Sequence, residues 1–215
     1  MNGVFVTGTD TEVGKTVVGA ATVAHLTAGG TSIAARKPVE SGCAQTADGL
    51  HPADGAALHR AAGAREPLAT VTPWRLRHAI SPERAARLEG VSIDKSDLVA
   101  AVGNGASGDY RWVEGAGGLL SPLTGDALNT DLAVALGLPV IVVAADRLGC
   151  INHTLLTVEA AASRGLTVAA VVVNAVDPGD GGPTANREDL AARLACPVIG
   201  WAHGGDAAVE LARYL

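Results

Sequence analysis

The segment VFVTGTDTEVGKT, residues 4–16, ends in a glycine, a lysine and a threonine that follow a short apolar run. Gly14, Lys15 and Thr16 match the end of the pattern G-x-x-x-x-G-K-[ST], in which backbone amides surround phosphate groups. The first glycine of that pattern would fall at position 9, where Thr9 stands, and Gly8 lies one residue earlier. The segment predicts a variant phosphate-binding loop, the alternative being a plain turn between a strand and a helix. The predicted phosphate contacts are Glu12, Val13, Gly14, Lys15, Thr16 and Val17.

Within this loop, two side chains have predicted roles of their own. Lys15 would reach the β- and γ-phosphates of a nucleotide, and the Thr16 hydroxyl would bind Mg²⁺.

A second group of residues is WVEGAGG, residues 112–118, in which Glu114 ends a short predicted strand. A carboxylate at that position can hold Mg²⁺, either directly or through water. The residues that follow, Gly115, Ala116 and Gly117, have almost no side chains, so a phosphate or a substrate can approach their backbone. The alternative is an exposed glutamate before a turn.

Lys37 lies in a third group, ARKPVESG, residues 35–42. The 16 basic residues of the chain comprise 13 arginines and three lysines, so a retained lysine is a candidate for a specific role. An ammonium at the end of a strand could stabilise charge on a transferring phosphoryl group, and Ser41 could hydrogen-bond a substrate. The alternative for Lys37 is an ordinary lysine at a strand end.

Three further positions are weaker candidates on residue type alone. Asp54 begins a predicted helix, where an N-cap role is the simpler interpretation. The segment from Gly149 to Asn152 begins another helix and could bind an anion. Asn174 ends a strand, where it either bonds a nucleotide base or caps a turn.

The elements that would position these residues alternate between strands and helices. Continuous apolar runs at 138–145 and 166–174 predict buried parallel strands, and shorter strands are predicted at 3–8, 31–39 and 109–115. Helices are predicted at 14–30, 81–90, 151–165 and 186–195, and polar loops at 40–55 and 175–186. This order predicts one α/β domain over residues 1–215, a doubly wound and mostly parallel sheet of the P-loop NTPase type. Ligands of such sheets bind beyond the carboxyl ends of the strands.

Composition excludes several classes of function. A net charge of −6 argues against a nucleic-acid surface, and no basic run indicates membrane binding. The three cysteines form no C-x-x-C pair, so neither a zinc site nor a disulfide framework is predicted. The N-terminal residues lack the features of a secretory signal, and we expect a cytoplasmic protein.

Taken together, the ordered motifs resemble the dethiobiotin synthetase family. VTGTDTEVGKT, KPVESG, SP with EG at 81–90, VEGAGG, LGCINH and VVVNAV occur in the order of that family, from residue 4 to about residue 174. The resemblance implies an ATP- and Mg²⁺-dependent cyclo-ligase of biotin synthesis, which carboxylates 7,8-diaminopelargonate with CO₂ and closes a cyclic urea.

The resemblance also implies roles for individual residues. Lys37, Lys15 and Thr11 would be catalytic, and Thr16, Asp54 and Glu114 would hold Mg²⁺. Nucleotide contacts would extend to Asn174, Ala175, Trp201 and Ala202, and Ser41 would contact the substrate. The family is homodimeric, and the partner subunit would supply Leu148, Gly149, Cys150, Ile151 and Asn152 for the carboxylate tail of the substrate.

The chain departs from the family pattern at two places. Glu83 stands where many members have histidine, and residues 198–211 lack the usual Ile-Pro pair near the nucleotide base. These differences leave CTP and GTP open as alternatives to ATP.

Two functions of other classes stay open. One is a partitioning or positioning ATPase, although such proteins usually carry a signature lysine where this chain has Asp10 and Thr11. The other is a nucleotide-binding module without enzymatic activity.

Overall fold

The computed structural model describes residues 1–104, 110–179 and 185–215. Its helices are α1 (Lys15–Ala28), α2 (Ala53–Ala61), α3 (Leu68–Val71), α4 (Pro82–Glu89), α5 (Lys95–Gly103), α6 (Asn129–Leu136), α7 (Cys150–Ala162), α8 (Ala185–Ala191) and α9 (Ala208–Leu211), with a 3₁₀ turn at Ala212–Tyr214. Its strands are β1 (Gly3–Gly8), β2 (Ile33–Arg36), β3 (Val39–Glu40), β4 (Ala44–Thr46), β5 (Gly49–His51), β6 (Trp74–Arg75), β7 (Tyr110–Gly118), β8 (Pro122–Thr124), β9 (Ala127–Leu128), β10 (Val140–Ala145), β11 (Val168–Asn174) and β12 (Val198–Trp201).

Six strands form a central sheet in the order β12-β11-β10-β1-β7-β2, and every neighbouring pair is parallel. β1 therefore lies inside the sheet, between β10 and β7. The parallel pairing puts the carboxyl ends of β1, β7, β10 and β11 at one edge, which is where the polar motifs follow the strands. The doubly wound α/β fold expected from the sequence is confirmed.

Alternate residues of each strand point to opposite faces of the sheet, so both faces carry apolar side chains, and helices cover both. Phe5 and Val142 pack on one face with residues of α4, α5, α6, α7 and α8. Val6 and Val143 pack on the other face with residues of α1, α2 and α9. The core is mainly aliphatic, with Trp112 and Phe5 as its largest fully buried aromatic side chains.

The main strand predictions are confirmed, with shifted ends in several cases. The apolar runs at 138–145 and 166–174 contain β10 and β11, and residues 3–8 coincide with β1. The strand expected at 109–115 is β7, which continues to Gly118. Residue 109 and residues 180–184 of the predicted 175–186 loop lie outside the described residues.

The segment 40–55 is not a plain loop. β4 and β5 pair there as an antiparallel hairpin, and α2 begins at Ala53. The hairpin residues are mainly exposed and polar, so they lack the apolar alternation by which a strand is recognised in sequence. In the described residues, no helix has the length and apolar character needed to cross a membrane.

Candidate active site

The phosphate-binding loop joins the carboxyl end of β1 to the first turn of α1. Gly14 precedes the helix with φ of 89°, and Glu12 also has a positive φ, of 56°. The ammonium of Lys15 donates a hydrogen bond to the carbonyl oxygen of Asp10 at 2.9 Å, across the loop. Backbone amides at the start of α1 and a lysine beside them give this loop the features of an anion site.

Asn174, at the end of β11, is bonded to this loop. Its Nδ2 donates a hydrogen bond to the carbonyl oxygen of Val13 at 3.0 Å. A Cβ on residue 14 would lie 2.1 Å from the same Nδ2, so only glycine fits beside the amide. The predicted contact between Asn174 and a nucleotide base stays a prediction, and the observed bond gives Asn174 a role in shaping the loop.

Four charged or polar side chains meet beside the loop. Glu114, on β7, accepts hydrogen bonds at Oε1 from the Thr16 hydroxyl at 2.8 Å and from Lys37 Nζ at 2.7 Å. Lys37 Nζ also donates to the carbonyl oxygen of Gly115 at 2.9 Å and lies 3.3 Å from Asp54 Oδ2. Glu114 and Lys37 are buried, and Asp54 is partly exposed.

Sheet register explains why residues so far apart in sequence meet here. Glu114 pairs with Val6 in the parallel ladder between β7 and β1, shortly before the loop begins. β2 lies on the other side of β7, and Lys37 follows its last residue. Asp54 arrives from the first turn of α2.

The surroundings keep both Lys37 and Asp54 charged. Burial acts to lower the pKa of Lys37, but the carboxylates of Glu114 and Asp54 outweigh it and raise that pKa above its ordinary value. Burial likewise acts to raise the pKa of Asp54, but the positive charge of Lys37 outweighs it and lowers that pKa. The site therefore holds desolvated opposite charges that depend on each other.

Lys15 is in a different electrostatic position. Burial, and after it the positive charge of Lys37, lowers the pKa of Lys15 to about 8. The carboxylates of Glu114 and Asp54 act in the opposite direction and only partly offset this. An anion bound against Lys15 would supply the compensating negative charge that the nearby carboxylates only partly provide for this ammonium group.

The residues predicted to hold Mg²⁺ are the Thr16 hydroxyl and the carboxylates of Asp54 and Glu114. Oxygen donors of this kind are the ligands that Mg²⁺ prefers. Glu114 Oε2 is buried and has no hydrogen-bond partner among the described residues, so it has capacity for one more positive group. The donor set fits a cation that is shared with nucleotide phosphates. In the described part of the chain there is no cluster of three or more His, Cys, Asp or Glu side chains suited to a metal alone.

The glycine-rich segment after Glu114 is held by a residue that the sequence interpretation missed. Asn129 is fully buried, donates from Nδ2 to the carbonyl oxygens of Ala116 and Gly118 at 2.9 Å each, and accepts from the Ala116 amide at Oδ1. Gly115 and Gly117 lie in this segment, which continues β7. The only signal in the sequence is an asparagine before an apolar helix, which is too common to single out.

The predicted base-binding residues contribute to one cavity at the ends of β11 and β12. Ala175, Trp201 and Ala202 line a cavity of about 490 Å³. Trp201 is itself almost fully buried, so it forms a wall of the cavity. The other lining residues include several polar groups that sequence interpretation did not single out: Asp146, Arg187, His203 and Glu210.

The remaining predicted substrate residues are spread along the same edge. Thr11 is exposed on the loop, where its amide bonds the Asp10 carboxylate, and Ser41 is partly exposed after β3. Leu148 is completely exposed, with a relative accessibility of 102%, and Asn152 is exposed, as expected for a surface segment. Ile151 is partly buried and packs against the core, and Gly149 precedes α7 with φ of 95°. Cys150 turns into the core, and its amide bonds the carbonyl oxygen of Arg147, so neither group is open to a ligand from this position.

The parallel sheet and its phosphate-binding loop define a P-loop nucleotide-binding protein. A family model described as an AAA domain matches residues 2–201. An ATP-dependent dethiobiotin synthetase from Pseudomonas paraeruginosa is 44% identical over 198 residues, covering 91% of this chain and 87% of the relative. One from Anaeromyxobacter dehalogenans is 45% identical over 181 residues, covering 84% and 79%. The chain belongs to the ATP-dependent dethiobiotin synthetase family.

Proposed function

We propose that this protein is an ATP-dependent dethiobiotin synthetase, which converts 7,8-diaminopelargonate, CO₂ and ATP into dethiobiotin, ADP and phosphate in biotin synthesis. The observation that carries the proposal is the position of Lys37, buried between two carboxylates, one of which also accepts a hydrogen bond from Thr16 of the phosphate-binding loop. A phosphoryl transfer to a small anion requires positive charge at that position.

The reaction has three steps. One amine of the substrate adds to CO₂, forming a C–N bond and losing a proton to give a carbamate. A carbamate oxygen then attacks the γ-phosphorus of ATP, and the bond to ADP breaks. The second amine attacks the carbamate carbon and loses a proton, the second C–N bond of the urea ring forms, and the C–O bond to phosphate breaks so that phosphate leaves.

The proposed role of each residue follows from its position in the site. Lys15 binds the β- and γ-phosphates, and Lys37 neutralises the carbamate oxygen and the transferring group. Thr11 and Ser41 orient the carbamate and the diamine. Mg²⁺, held by Thr16, Asp54 and Glu114, supplies positive charge to the phosphate oxygens when bound. These assignments rest on the contacts that Lys37 makes with Glu114 and Asp54 and on the capacity left at Glu114 Oε2.

The nucleotide base is assigned to the cavity bounded by Ala175, Trp201 and Ala202. ATP is the expected nucleotide, and CTP and GTP are the alternatives to test. Asn174 links this region to the loop through its bond to Val13.

We propose in addition that the active form is a homodimer acting in the cytoplasm. Leu148 is completely exposed, and Leu120 and Leu156 border a groove of about 410 Å³ that also includes Thr9 and Asp10 of the loop. An apolar surface of this kind beside an active site suits a second copy of the chain. Residues 148–152 of that copy would receive the substrate's carboxylate.

The test is direct. The protein is incubated with diaminopelargonate, ¹³C-bicarbonate, Mg²⁺ and ATP, and the product is analysed by mass spectrometry. We expect dethiobiotin with the label in its urea carbon. If no dethiobiotin forms with ATP, CTP or GTP, the proposed function is wrong, and nucleotide hydrolysis without product would favour the ATPase-switch alternative.

A further inference from the structure

Glu40 is a buried carboxylate beside the site that none of the assigned roles uses. It ends β3 and is 6% exposed. Its Oε1 accepts a hydrogen bond from the backbone N–H of Asp54 at 3.1 Å, and its Oε2 accepts one from the backbone N–H of Gly55 at 2.9 Å. Both donors belong to the first turn of α2.

α2 needs such a partner because it has no cap of its own. Its N-cap residue is Pro52, and no side chain from that position bonds the first turn. The first amides of a helix have no partners within the helix and must be satisfied by other groups. Glu40 lies 14 residues before Asp54 and 15 residues before Gly55 in sequence. Each of its two carboxylate oxygens accepts a hydrogen bond from one of these amides.

The packing around Gly55 makes this contact specific. A Cβ at residue 55 would lie 1.9 Å from the hydroxyl oxygen of Thr72 and 3.5 Å from Glu40 Oε2. The helix start can pack this closely against Thr72, with Glu40 in ordinary contact, only with glycine at that position. The backbone of Asp54 is therefore held from one side by Glu40, while its side chain lies 3.3 Å from Lys37 on the other.

The side chain of Asp54 is 42% exposed, so packing alone does not fix it. We propose that Glu40 is a positioning residue, which fixes the first turn of α2 and thereby holds the Asp54 carboxylate in the metal site. Glu40 itself touches neither metal nor substrate. The inference rests on the proposed function only in taking Asp54 as a metal ligand.

The experiment measures divalent-cation binding, with Mn²⁺ and ADP as probes and electron paramagnetic resonance as the readout. In Glu40→Gln one oxygen is replaced by an amide group that cannot accept from a backbone N–H. We expect Mn²⁺ affinity in the presence of ADP to fall about tenfold, in the range found for residues that orient metal ligands. Turnover at saturating Mg²⁺ should stay near the wild-type value, while the Mg²⁺ concentration for half-maximal rate rises.

Glu89→Gln is the matched control. Glu89 also accepts hydrogen bonds from two successive backbone amides, those of Arg77 and His78, but none of its bonds is to a site residue. Both amides bond the same oxygen, Oε1, so Glu89→Gln removes the carboxylate charge and can keep these bonds. It should leave Mn²⁺ affinity unchanged, which shows that loss of a hydrogen-bonded carboxylate elsewhere in the protein does not weaken the metal site.

A double-mutant cycle with Asp54→Asn separates positioning from a direct effect. If Glu40 acts through Asp54, Glu40→Gln should have little further effect on Mn²⁺ affinity in the Asp54→Asn background. Three results would each overturn the inference. They are equal losses of Mn²⁺ affinity in both backgrounds, unchanged affinity in a folded Glu40→Gln variant, and a wild-type protein that binds no Mn²⁺ in the presence of ADP. If Glu40→Gln does not fold, the same cycle is made with Glu40→Asp, which keeps the charge and shortens the reach. Because the probe needs no diaminopelargonate, failure to form dethiobiotin would overturn the proposed function without affecting this result.

Discussion

Lys37 and Glu114 form a buried ion pair, with 2.7 Å between Nζ and Oε1, although 77 residues separate them in sequence. Removing one partner of such a pair leaves the other charge buried without compensation, at a cost of about 3–5 kcal/mol. Replacing either partner alone is therefore expected to destabilise the folded protein.

Lys37→Gln is expected to lower turnover by roughly 10²- to 10³-fold, the effect of losing one group that stabilises transition-state charge. It should also lower the free energy of unfolding, because the buried Glu114 carboxylate loses its closest cation. Steady-state kinetics and urea unfolding measure the two effects. Lys95→Gln is the control, since Lys95 begins α5 on the surface and should change neither quantity. Near-normal turnover in Lys37→Gln would contradict the catalytic role.

The lowered pKa of Lys15 predicts that nucleotide binding depends on pH. Burial, with Lys37 next in size, lowers the pKa of Lys15 to about 8 in the free protein, and bound phosphates would raise it. Lys15 is then mostly charged in the free protein below about pH 8. Above about pH 8 it is mostly neutral and must take up a proton when the nucleotide binds. ADP affinity should change little near about pH 7 to 7.5, where the terminal phosphate of ADP is already ionised, and fall by up to about tenfold per pH unit above about pH 8.

Calorimetric titration of ADP over that pH range measures this dependence. Lys15→Arg keeps its charge throughout and should show a nearly flat profile. A wild-type affinity that does not change between these pH values would show that Lys15 does not bind the phosphates.

Asn174→Ala removes the hydrogen bond to Val13. A bond of this kind contributes about 1 kcal/mol, so ADP affinity should fall roughly fivefold. Hydrogen exchange at the loop amides should become faster, since the loop loses a contact that fixes its shape. Asn2→Ala, at an exposed position before β1, should alter neither measurement. If exchange in the loop is unchanged, Asn174 does not hold it.

Leu156→Glu tests the proposed dimer. Leu156 is 56% exposed beside the groove that includes the start of the loop, and a carboxylate there would have to be desolvated in an interface. The dimer dissociation constant should rise about 30-fold or more, the effect of losing an important interface side chain. Sedimentation equilibrium and the dethiobiotin assay should show a monomer with low activity.

Val209→Glu is the matched control, because Val209 on α9 is also 56% exposed and does not line that groove. It should leave assembly unchanged. A Leu156→Glu protein that remains dimeric would place the interface elsewhere, and a fully active wild-type monomer would remove the role given to residues 148–152.

The features that could be predicted from the sequence are those whose pattern lies within one short segment of the chain. β10 and β11 are continuous apolar runs, and the phosphate-binding loop lies in a contiguous segment between a strand and a helix. Lys37 is indicated by the scarcity of lysines and by its place at a strand end. Asp54 is assigned to Mg²⁺ only through the family resemblance, since residue type alone favours a helix cap.

The unpredicted part depends on contacts between distant segments. Nothing near Glu40 in the sequence indicates that its carboxylate meets the start of α2, and nothing near Asn129 indicates its bonds to the segment after Glu114. The hairpin of β4 and β5 has mainly exposed residues, so it lacks an apolar pattern. Such features follow from the assembled fold, because their partners are chosen by packing and not by neighbouring residues.

The position of β1 inside the sheet has a consequence for how the chain folds. Its two neighbours are β7 and β10, whose first residues are Tyr110 and Val140. At a synthesis rate of roughly 5–20 residues per second, β1 leaves the ribosome on the order of ten seconds before its second partner exists. Until β7 is synthesised, this apolar strand has neither of its neighbours in the sheet to pair with. The phosphate-binding loop, which follows β1 directly, therefore gains its full setting in the sheet only after β10 has been synthesised.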